Sequence, residues 1–322
     1  MTSTRIALLA TGGTIASHFD GTAWANLDGA HLLAELGDLS AEAHVAVRDV
    51  ESGPSSHLSV HDMLAIISHV RDAVNSGVDG VVVTHGTDTL EITSFLAGLI
   101  LDTDTPVVFT GSMRVNSHAE PDGPGNMRDS IALAASPQAR GRGVLVCLNG
   151  EIHSPRLARK LNASGVEAFY SIPDGAVGRI HKGVVEFAAA AARGSVLDWP
   201  TYVRDDVHLV TLYPGLDEAA LRRSVGDSRG VVVEAFGDLN VPMNLWGVIH
   251  EWSTEGRLVV IASGAYTPTA TSEFLDLLGI MGAGGLTPQK ARVALLVAMS
   301  DDRSANEAKS LFRSMTGSGG ET

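Results

Sequence analysis

Gly80-Val-Val-Val-Thr84 runs directly into His85-Gly-Thr-Asp-Thr-Leu-Glu91, and this stretch decides the fold class. Its first five residues are an apolar run of strand length, and the turn after them leads into Leu90 to Leu101, which has a helical pattern. An unbroken apolar strand is typical of a sheet that is buried on both faces. The stretch therefore predicts one strand and one crossover helix of a parallel α/β sheet.

The same alternation of strands and helices extends to both sides of this stretch. Helical spacing is found in Val60 to Val74, where Ser59 and Asp62 make a predicted capping box, and in Asn126 to Ala135. The further candidate strands are Ile6 to Ala10, Val45 to Val50, Val107 to Thr110 and Val144 to Leu148. This order predicts an N-terminal domain with a mainly parallel sheet flanked by helices.

A smaller α/β domain is predicted at the C-terminal end, after a change of composition. Phe187 to Asp206 passes from an alanine run to Trp-Pro and a pair of aspartates, and we place a linker at residues 191–206. Residues 1–190 then form the larger domain and residues 207–322 the smaller one. Its predicted strands are Val207 to Leu212, Gly230 to Glu234 and Arg257 to Ala262, and its helices lie near Asp217 to Val225, Val241 to Trp252 and Pro288 to Met299.

Composition and charge exclude several classes of function. The chain has 322 residues, of which 44% are hydrophobic and 19% charged, and these values exclude global disorder. The net charge of −14 has the wrong sign for binding nucleic acid or an anionic membrane. No apolar stretch approaches the roughly 18 residues of a spanning helix, and no leader pattern precedes the first strand. We therefore expect a cytoplasmic protein whose one cysteine, Cys147, is buried in a strand.

Two loops at predicted strand ends carry hydroxyl groups that are candidates for chemistry. Thr11 to Ala16 follows the first strand and contains Thr14, and its glycines do not fit the dinucleotide-binding fingerprint. The loop after Thr84 places Thr87 beside Asp88, a pairing that suits a nucleophile and its orienting partner. A turn or a helix cap would explain either loop equally well. Ligands of open parallel sheets bind beyond the carboxyl ends of the strands, so both loops are kept as candidates beside the structural alternative.

Other polar groups are less specific. Ser112 and Arg114 follow another predicted strand, Ser55 and Ser56 lie in a polar loop, and Lys160 alone is typical of a surface charge. The chain has no zinc-ligand motif, no Gly-x-Ser-x-Gly elbow and no phosphate-binding loop of the nucleotide-triphosphatase type. These absences disfavour conventional zinc, serine-hydrolase and nucleotide-triphosphatase chemistry.

Taken together, the loop at Thr11 to Ala16 and the stretch Val83 to Glu91 resemble the two signatures of bacterial-type L-asparaginases and glutaminase-asparaginases. The similarity extends through Thr110 to Arg114 and Leu286 to Arg292. The resemblance implies an amidohydrolase that converts L-asparagine to L-aspartate and ammonia without a metal or an organic cofactor. It also implies a homo-oligomer, a dimer or a tetramer built from close dimers. Nucleic acid and membrane are disfavoured as partners by the net charge.

The resemblance assigns catalytic roles by position. Thr14 matches the nucleophile, and Thr87, Asp88 and Lys160 match the second threonine, the aspartate and the lysine of the family. An alcohol is a weak nucleophile that needs an adjacent base, and a lysine serves as a base only while it is neutral. Which threonine attacks in each step is left open. Backbone N–H groups near both threonines and near Ser112 are candidates for an oxyanion hole.

The resemblance also implies which residues bind the substrate. They are Ser55, Ser56, Thr87, Asp88 and Ser112, with the serine loop at the α-carboxylate and Asp88 at the α-ammonium group. In the family a partner subunit completes the site, and Asp238 or Asn240 would supply that contact. Asp238 departs from the family pattern, which commonly has a neutral amide there.

A second departure lies after the first motif, where the family brings a tyrosine close to the nucleophile. His18 to Leu27 holds only Phe19 and Trp24 as aromatic candidates. Trp24 or Tyr266 could replace that tyrosine, or the enzyme could be slow. This departure keeps two alternatives open. One is an enzyme that prefers glutamine or another amide, and the other is a catalytically silent protein that binds an amino acid.

Overall fold

The structure is a computed structural model that describes residues 4–39, 43–50, 53–188, 196–265 and 273–316. It divides into two compact units, Met1–Leu197 and Asp198–Thr322. The first unit holds a large, mainly parallel sheet and the second a smaller parallel sheet, so the predicted α/β class with a larger N-terminal and a smaller C-terminal domain is confirmed. Residues 191–195 of the predicted linker lie outside the described ranges.

The large sheet has a parallel part and an antiparallel extension. The parallel strands are β1 (Arg5–Ala10), β4 (His44–Asp49), β5 (Gly80–Thr84), β6 (Val107–Thr110) and β7 (Val144–Leu148). The antiparallel strands are β8 (Glu151–His153), β11 (Gly178–His181) and β12 (Val184–Phe187). Their order is β12-β11-β8-β7-β6-β5-β1-β4, which places β5 between β1 and β6. The carboxyl ends of β1, β5 and β6 therefore lie side by side at one edge of the sheet.

Two small antiparallel pairs stand apart from the large sheet. One joins β2 (Ser17–Phe19) to β3 (Trp24–Asn26), and the other joins β9 (Ala158–Lys160) to β10 (Phe169–Ser171). The sequence did not predict either pair, because each strand has only three residues.

Helices flank the large sheet as predicted. They are α1 (Gly29–Ala34), α2 (Val60–Asn75), α3 (Leu90–Ile100) and α4 (Gly123–Ala135). Both hydrogen bonds of the predicted capping box between Ser59 and Asp62 are present at the start of α2. The N-cap residue of α3 is Thr89, and it makes no capping bond with its side chain. The alternative in which Thr87 or Asp88 caps this helix is therefore wrong.

The core of the first unit explains why β5 is apolar throughout. All five residues of β5 are buried, which confirms burial on both faces. On one face Val82 belongs to the same apolar cluster as Leu32 of α1 and Ile131 of α4. Cys147 is also completely buried, and burial raises the pKa of its thiol to about 12, so it is a core residue as expected.

The second unit is a four-stranded parallel sheet with its own core, as far as its residues are described. Its strands are β13 (Val207–Thr211), β14 (Gly230–Ala235), β15 (Leu258–Ser263) and β16 (Met281–Gly282). Its helices are α5 (Glu218–Val225), α6 (Trp246–Thr254), α7 (Glu273–Leu277), α8 (Pro288–Ala298) and α9 (Ala305–Thr316). Helix α6 begins later than predicted because a 3-10 turn, Met243–Leu245, follows Pro242. Among the helices of the described ranges, none could span a membrane.

Candidate active site

Four loops of the first unit come into contact beyond the strand ends, and glycines mark the points of contact. A Cβ atom on Gly13 would lie 2.4 Å from the Cα of Gly86, and one on Gly86 would lie 2.5 Å from the Oγ of Ser55. A Cβ on Gly111 would lie 2.4 Å from the carbonyl oxygen of His85. Gly13 also has a φ of 88°, which glycine adopts at little cost. Only glycine lets these backbones approach so closely.

Three of the predicted catalytic side chains are in direct contact. The Nζ of Lys160 donates hydrogen bonds to the Oγ1 of Thr87, at 2.8 Å, and to the Oδ1 of Asp88, at 2.9 Å. We call these three residues the lysine cluster. The Lys160 side chain is only 19% exposed, and Asp88 is 61% exposed, so one side of the cluster is open to solvent. Lys160 is therefore not a solvated surface charge.

Thr14 lies in the loop that contacts the loop of Thr87. It is the half-buried first residue of a 3-10 turn, Thr14–Ala16, that begins four residues after the end of β1. The N–H of Gly13 donates to the carbonyl oxygen of Gly53 at 3.1 Å, and the hydroxyl of Ser17 donates to the carbonyl oxygen of Gly13 at 3.1 Å. Both peptide groups of Gly13, directly before Thr14, are thus held by hydrogen bonds.

The predicted substrate-binding serines lie in different environments. Ser55 is buried, and its hydroxyl has no hydrogen-bond partner among the described residues. Because an unsatisfied buried hydroxyl is costly, this group is suited to a ligand that supplies the missing bond. Ser56 is exposed. Ser112 is buried and donates its hydroxyl hydrogen to the carbonyl oxygen of Arg114, at 2.8 Å, which leaves its oxygen as an acceptor.

A polar network to which the sequence assigned no role supports the Ser112 loop. The carboxylate of Asp122 accepts the backbone N–H groups of Met113, at 2.9 Å, and of Arg114, at 2.8 Å. The buried Asn126 donates to the carbonyl oxygen of Gly111 at 2.9 Å, and its own amide oxygen accepts the N–H of Asn149 at 2.9 Å. The only sequence feature that could have indicated this network is Asp122 directly before a glycine and a proline. Asn126 could not have been identified, because it falls within an ordinary helical pattern.

His85 is a neutral, buried residue next to the lysine cluster. Its Nδ1 donates to the carbonyl oxygen of Gly86 at 2.8 Å, and a carbonyl can only accept, so this nitrogen carries the proton. Burial lowers the pKa of His85 to about 4. The imidazole is therefore uncharged at neutral pH and adds no positive charge to the loop that contains Thr87.

The segment after Thr14 forms what we call the aromatic hairpin, residues 17–26, which contains β2 and β3. Phe19 and Trp24 are 41% and 65% exposed, and their ring centroids are 5.2 Å apart. The hairpin is attached to residues 116 and 117 by three bonds. The N–H of Phe19 donates to the Oγ of Ser117 at 2.9 Å, the N–H of Asn116 donates to the carbonyl oxygen of Ser17 at 2.8 Å, and the Nδ1 of His18 bonds to the Oδ1 of Asn116 at 3.2 Å. Tyr266, the other candidate for the role of the family tyrosine, lies outside the described residues.

The remaining predicted residues, Asp238 and Asn240, lie in the second unit. Asp238 is exposed and adopts a φ of 56°, and Asn240 is exposed and donates its amide to the carbonyl oxygen of Gly237 at 2.7 Å. Across the described residues, no three His, Cys, Asp or Glu side chains are grouped so that they could hold a metal ion.

Comparison with known sequence families gives two matches that follow each other along the chain. Residues 5–193 match the family described as "Asparaginase, N-terminal". Residues 206–312 match the family described as "Glutaminase/Asparaginase C-terminal domain". The first match contains all residues of the lysine cluster and Thr14, and the second contains Asp238 and Asn240.

Individual relatives cover nearly the whole chain. A probable L-asparaginase of Deinococcus radiodurans is 32% identical over 329 residues, covering 96% of this chain and 97% of the relative. One component of the glutamyl-tRNA(Gln) amidotransferase of Halobacterium salinarum is 31% identical, covering 97% of this chain and 79% of the relative. Among solved structures, the probable cytoplasmic L-asparaginase of Campylobacter jejuni matches with a TM-score of 0.87 and 29% identity, covering 96% of this chain and 99% of that one.

Proposed function

This chain belongs to the asparaginase family, and we propose that it hydrolyses L-asparagine to L-aspartate and ammonia. The observation that carries the proposal is the lysine cluster, in which the one Nζ of Lys160 is bonded to both Thr87 and Asp88. A lysine in this position can exchange a proton with a neighbouring alcohol, which is the activation that amide hydrolysis by a hydroxyl nucleophile requires.

The proposed reaction has two steps. In the first, the hydroxyl oxygen of Thr14 forms a bond to the side-chain carbonyl carbon of the substrate and its proton passes to a base. The base then gives this proton to the amide nitrogen, the C–N bond breaks, and ammonia leaves. In the second, water attacks the ester and L-aspartate leaves with regeneration of the hydroxyl. Neutral Lys160 acts as the base through Thr87. Kinetic analysis of single variants identifies which threonine attacks in each step.

The substrate groups find complementary partners around this centre. The buried Ser55 hydroxyl, which has no partner among the described residues, and the exposed Ser56 would bind the α-carboxylate. Asp88 has one exposed side and would bind the α-ammonium group. Backbone N–H groups near Thr14, Thr87 and Ser112 would stabilise the oxyanion.

A homotetramer built from close dimers, located in the cytoplasm, is the assembly that we propose. In it Asp238 or Asn240 of a neighbouring protomer would contact the substrate. Light scattering coupled to size exclusion measures the mass of the assembly directly. Mixing a variant with Thr14→Ala and a variant with Asn240→Ala should restore part of the activity, since hybrid assemblies would contain intact shared sites. A monomer that is fully active would contradict the shared site.

Steady-state ammonia release from a panel of amides tests the proposed function. We expect the largest kcat/KM with L-asparagine, and a measurable rate with L-glutamine, because one methylene changes the preference by only about 1–3 kcal/mol. A faster reaction with glutamine would establish the near alternative. Release from none of the amides, together with calorimetric binding of L-aspartate, would establish a silent amino-acid-binding protein instead. The absence of both ammonia release and aspartate binding would overturn the proposal entirely.

A further inference from the structure

Lys160 is held at its backbone as well as at its ammonium group. Its strand, β9, has three residues and pairs only with β10 among the described strands. The N–H of Lys160 donates to the Oε2 of Glu91, at 2.7 Å, rather than to β10. In an antiparallel pair, alternate N–H groups point away from the partner strand, so this group would lack a strand partner. The Glu91 carboxylate supplies the missing acceptor.

Glu91 also occupies a particular place in the chain. It is the second residue of α3, only three residues after Asp88, and a carboxylate in the first turn of a helix is favoured by the helix dipole. The segment that starts this helix therefore contacts Lys160 at two points, through Thr87 and Asp88 at Nζ and through Glu91 at the backbone. The two points are separated by the whole flexible lysine side chain.

We propose that Glu91 is a positioning residue that holds Lys160 in register with Thr87. A lysine side chain has four carbons and large rotamer freedom, so its ammonium group is placed accurately only when its Cα is fixed. Ala158 and Arg159 are buried and hold the first part of β9, whereas Lys160 is the last residue of the strand and only half-buried, so its backbone depends most on the bond from its own N–H. The bond to Glu91 attaches the tip of β9 to α3, most of whose residues are buried in the first unit.

The chemistry of the bond explains why the acceptor is a carboxylate. A hydrogen bond from a backbone N–H to an ionised group is shorter and stronger than one to a neutral group. The amide of glutamine offers an oxygen in the same position and keeps the bond in a weaker form. Alanine offers no acceptor and leaves the N–H of Lys160 without its partner. The inference rests on the proposed function, because it concerns the proton transfer by Lys160.

The variants Glu91→Ala and Glu91→Gln test the positioning role. In Glu91→Ala we expect kcat for asparagine to fall about tenfold or more while KM changes less than about threefold, since a displacement of about 1 Å can cost about a hundredfold in rate. In Glu91→Gln we expect kcat to stay within about threefold of the wild type. Hydrogen exchange of the 158–160 amides should accelerate in Glu91→Ala and remain slow in Glu91→Gln.

A matched control separates positioning from stability. The Oε2 of Glu307 accepts the backbone N–H of Ser304, at 2.9 Å, at the start of α9 in the second unit. Glu307→Ala should lower the free energy of unfolding without changing kcat. A kcat of Glu91→Ala within twofold of the wild type, or equal losses in Glu91→Ala and Glu91→Gln, would overturn the inference. Absence of turnover in the wild-type protein would refute the proposed function. Hydrogen exchange of the 158–160 amides would then be the measurement that tests whether Glu91 positions Lys160.

Discussion

The lysine cluster and the aromatic hairpin both act on Thr14 in the proposed chemistry, but they are built in opposite ways. The cluster combines a buried threonine, a mostly buried lysine and the turn that leads into α3, joined by hydrogen bonds of 2.8 and 2.9 Å. The hairpin has two strands of three residues, and its two aromatic rings contact each other while remaining exposed. The groups proposed to transfer the proton are thus preorganised by the core, whereas the aromatic hairpin depends on a few surface contacts.

The same contrast is visible in what each region shares with the family. The motif that contains Thr87 and Asp88 follows a strand buried on both faces, so a change there would disturb the core. The segment from His18 to Leu27 is largely exposed and lacks the tyrosine that the family pattern places there. Substitutions that separate the two regions are the most direct way to test this division.

Thr14→Ala is expected to have the largest effect. It removes the proposed nucleophile but leaves the lysine cluster and its hydrogen bonds intact. We expect folded protein with about a hundredfold or greater loss of kcat for asparagine, measured by ammonia release. Thr254→Ala is the matched control, because Thr254 is an exposed threonine at the end of α6. Turnover at the wild-type rate in Thr14→Ala would remove Thr14 from its role.

Lys160→Met and Lys160→Arg test whether the cluster transfers protons or only supplies charge. Arginine keeps a positive charge beside Asp88 but cannot lose a proton in a protein, so it cannot act as a base. We expect both variants to lose about a hundredfold or more in kcat. Lys182→Met, at an exposed lysine, is the control. Substantial activity of Lys160→Arg would show that charge is sufficient and that the base lies elsewhere.

The free energy of unfolding should decrease in mild acid because of buried histidines of the first unit. Burial lowers the pKa of both His85 and His153 to about 4, below the ordinary value of 6.5. Between these values the unfolded chain binds a proton that the folded chain does not, so the free energy of unfolding starts to fall as the pH drops through about 6.5 and keeps falling until about 4. The interval from about 7.5 to about 5.5 contains the first part of this loss. Each histidine should contribute about 1 kcal/mol to this loss.

Urea denaturation at several pH values measures this effect. The substitution His85→Gln should remove about half of the loss between pH values of about 7.5 and 5.5, because His153 still contributes. Two results would contradict a contribution of His85. One is a free energy of unfolding that increases on acidification over this range, and the other is an unchanged pH-dependent loss in His85→Gln.

Much of this contrast could be predicted from the sequence, for a physical reason. Strands such as β5 are apolar along their whole length because both of their faces are buried, and the periodicity of α2 with its Ser59 and Asp62 cap follows from local geometry. The same signals place Thr14 and Thr87 after strand ends, and the order of the parallel strands then brings β1 beside β5. Core burial and helix capping depend on residues that are close together in the sequence, so both can be predicted from a short stretch of the chain.

Lys160 and Glu91 show why the rest could not be predicted. Three residues of β9 carry no periodicity, and Lys160 alone resembles any surface charge. Its position depends on a carboxylate 69 residues earlier in the chain, a contact that no local pattern encodes. The aromatic hairpin likewise owes its shape to bonds with Asn116 and Ser117, about a hundred residues away. Contacts of this kind are decided by tertiary packing.

Trp24→Ala should have the smallest effect and is the most specific test of the hairpin. If the exposed ring of Trp24 helps to close the site in place of the absent tyrosine, its removal should lower kcat/KM about three- to tenfold and leave the free energy of unfolding nearly unchanged. Trp24→Phe should retain most of the activity because it keeps the ring contact with Phe19. Tyr202→Ala removes a comparably exposed aromatic ring from the second unit and serves as the control. Unchanged kinetics in Trp24→Ala would mean that the hairpin takes no part in closure, and the lysine cluster would then have to work in a site that stays open to water.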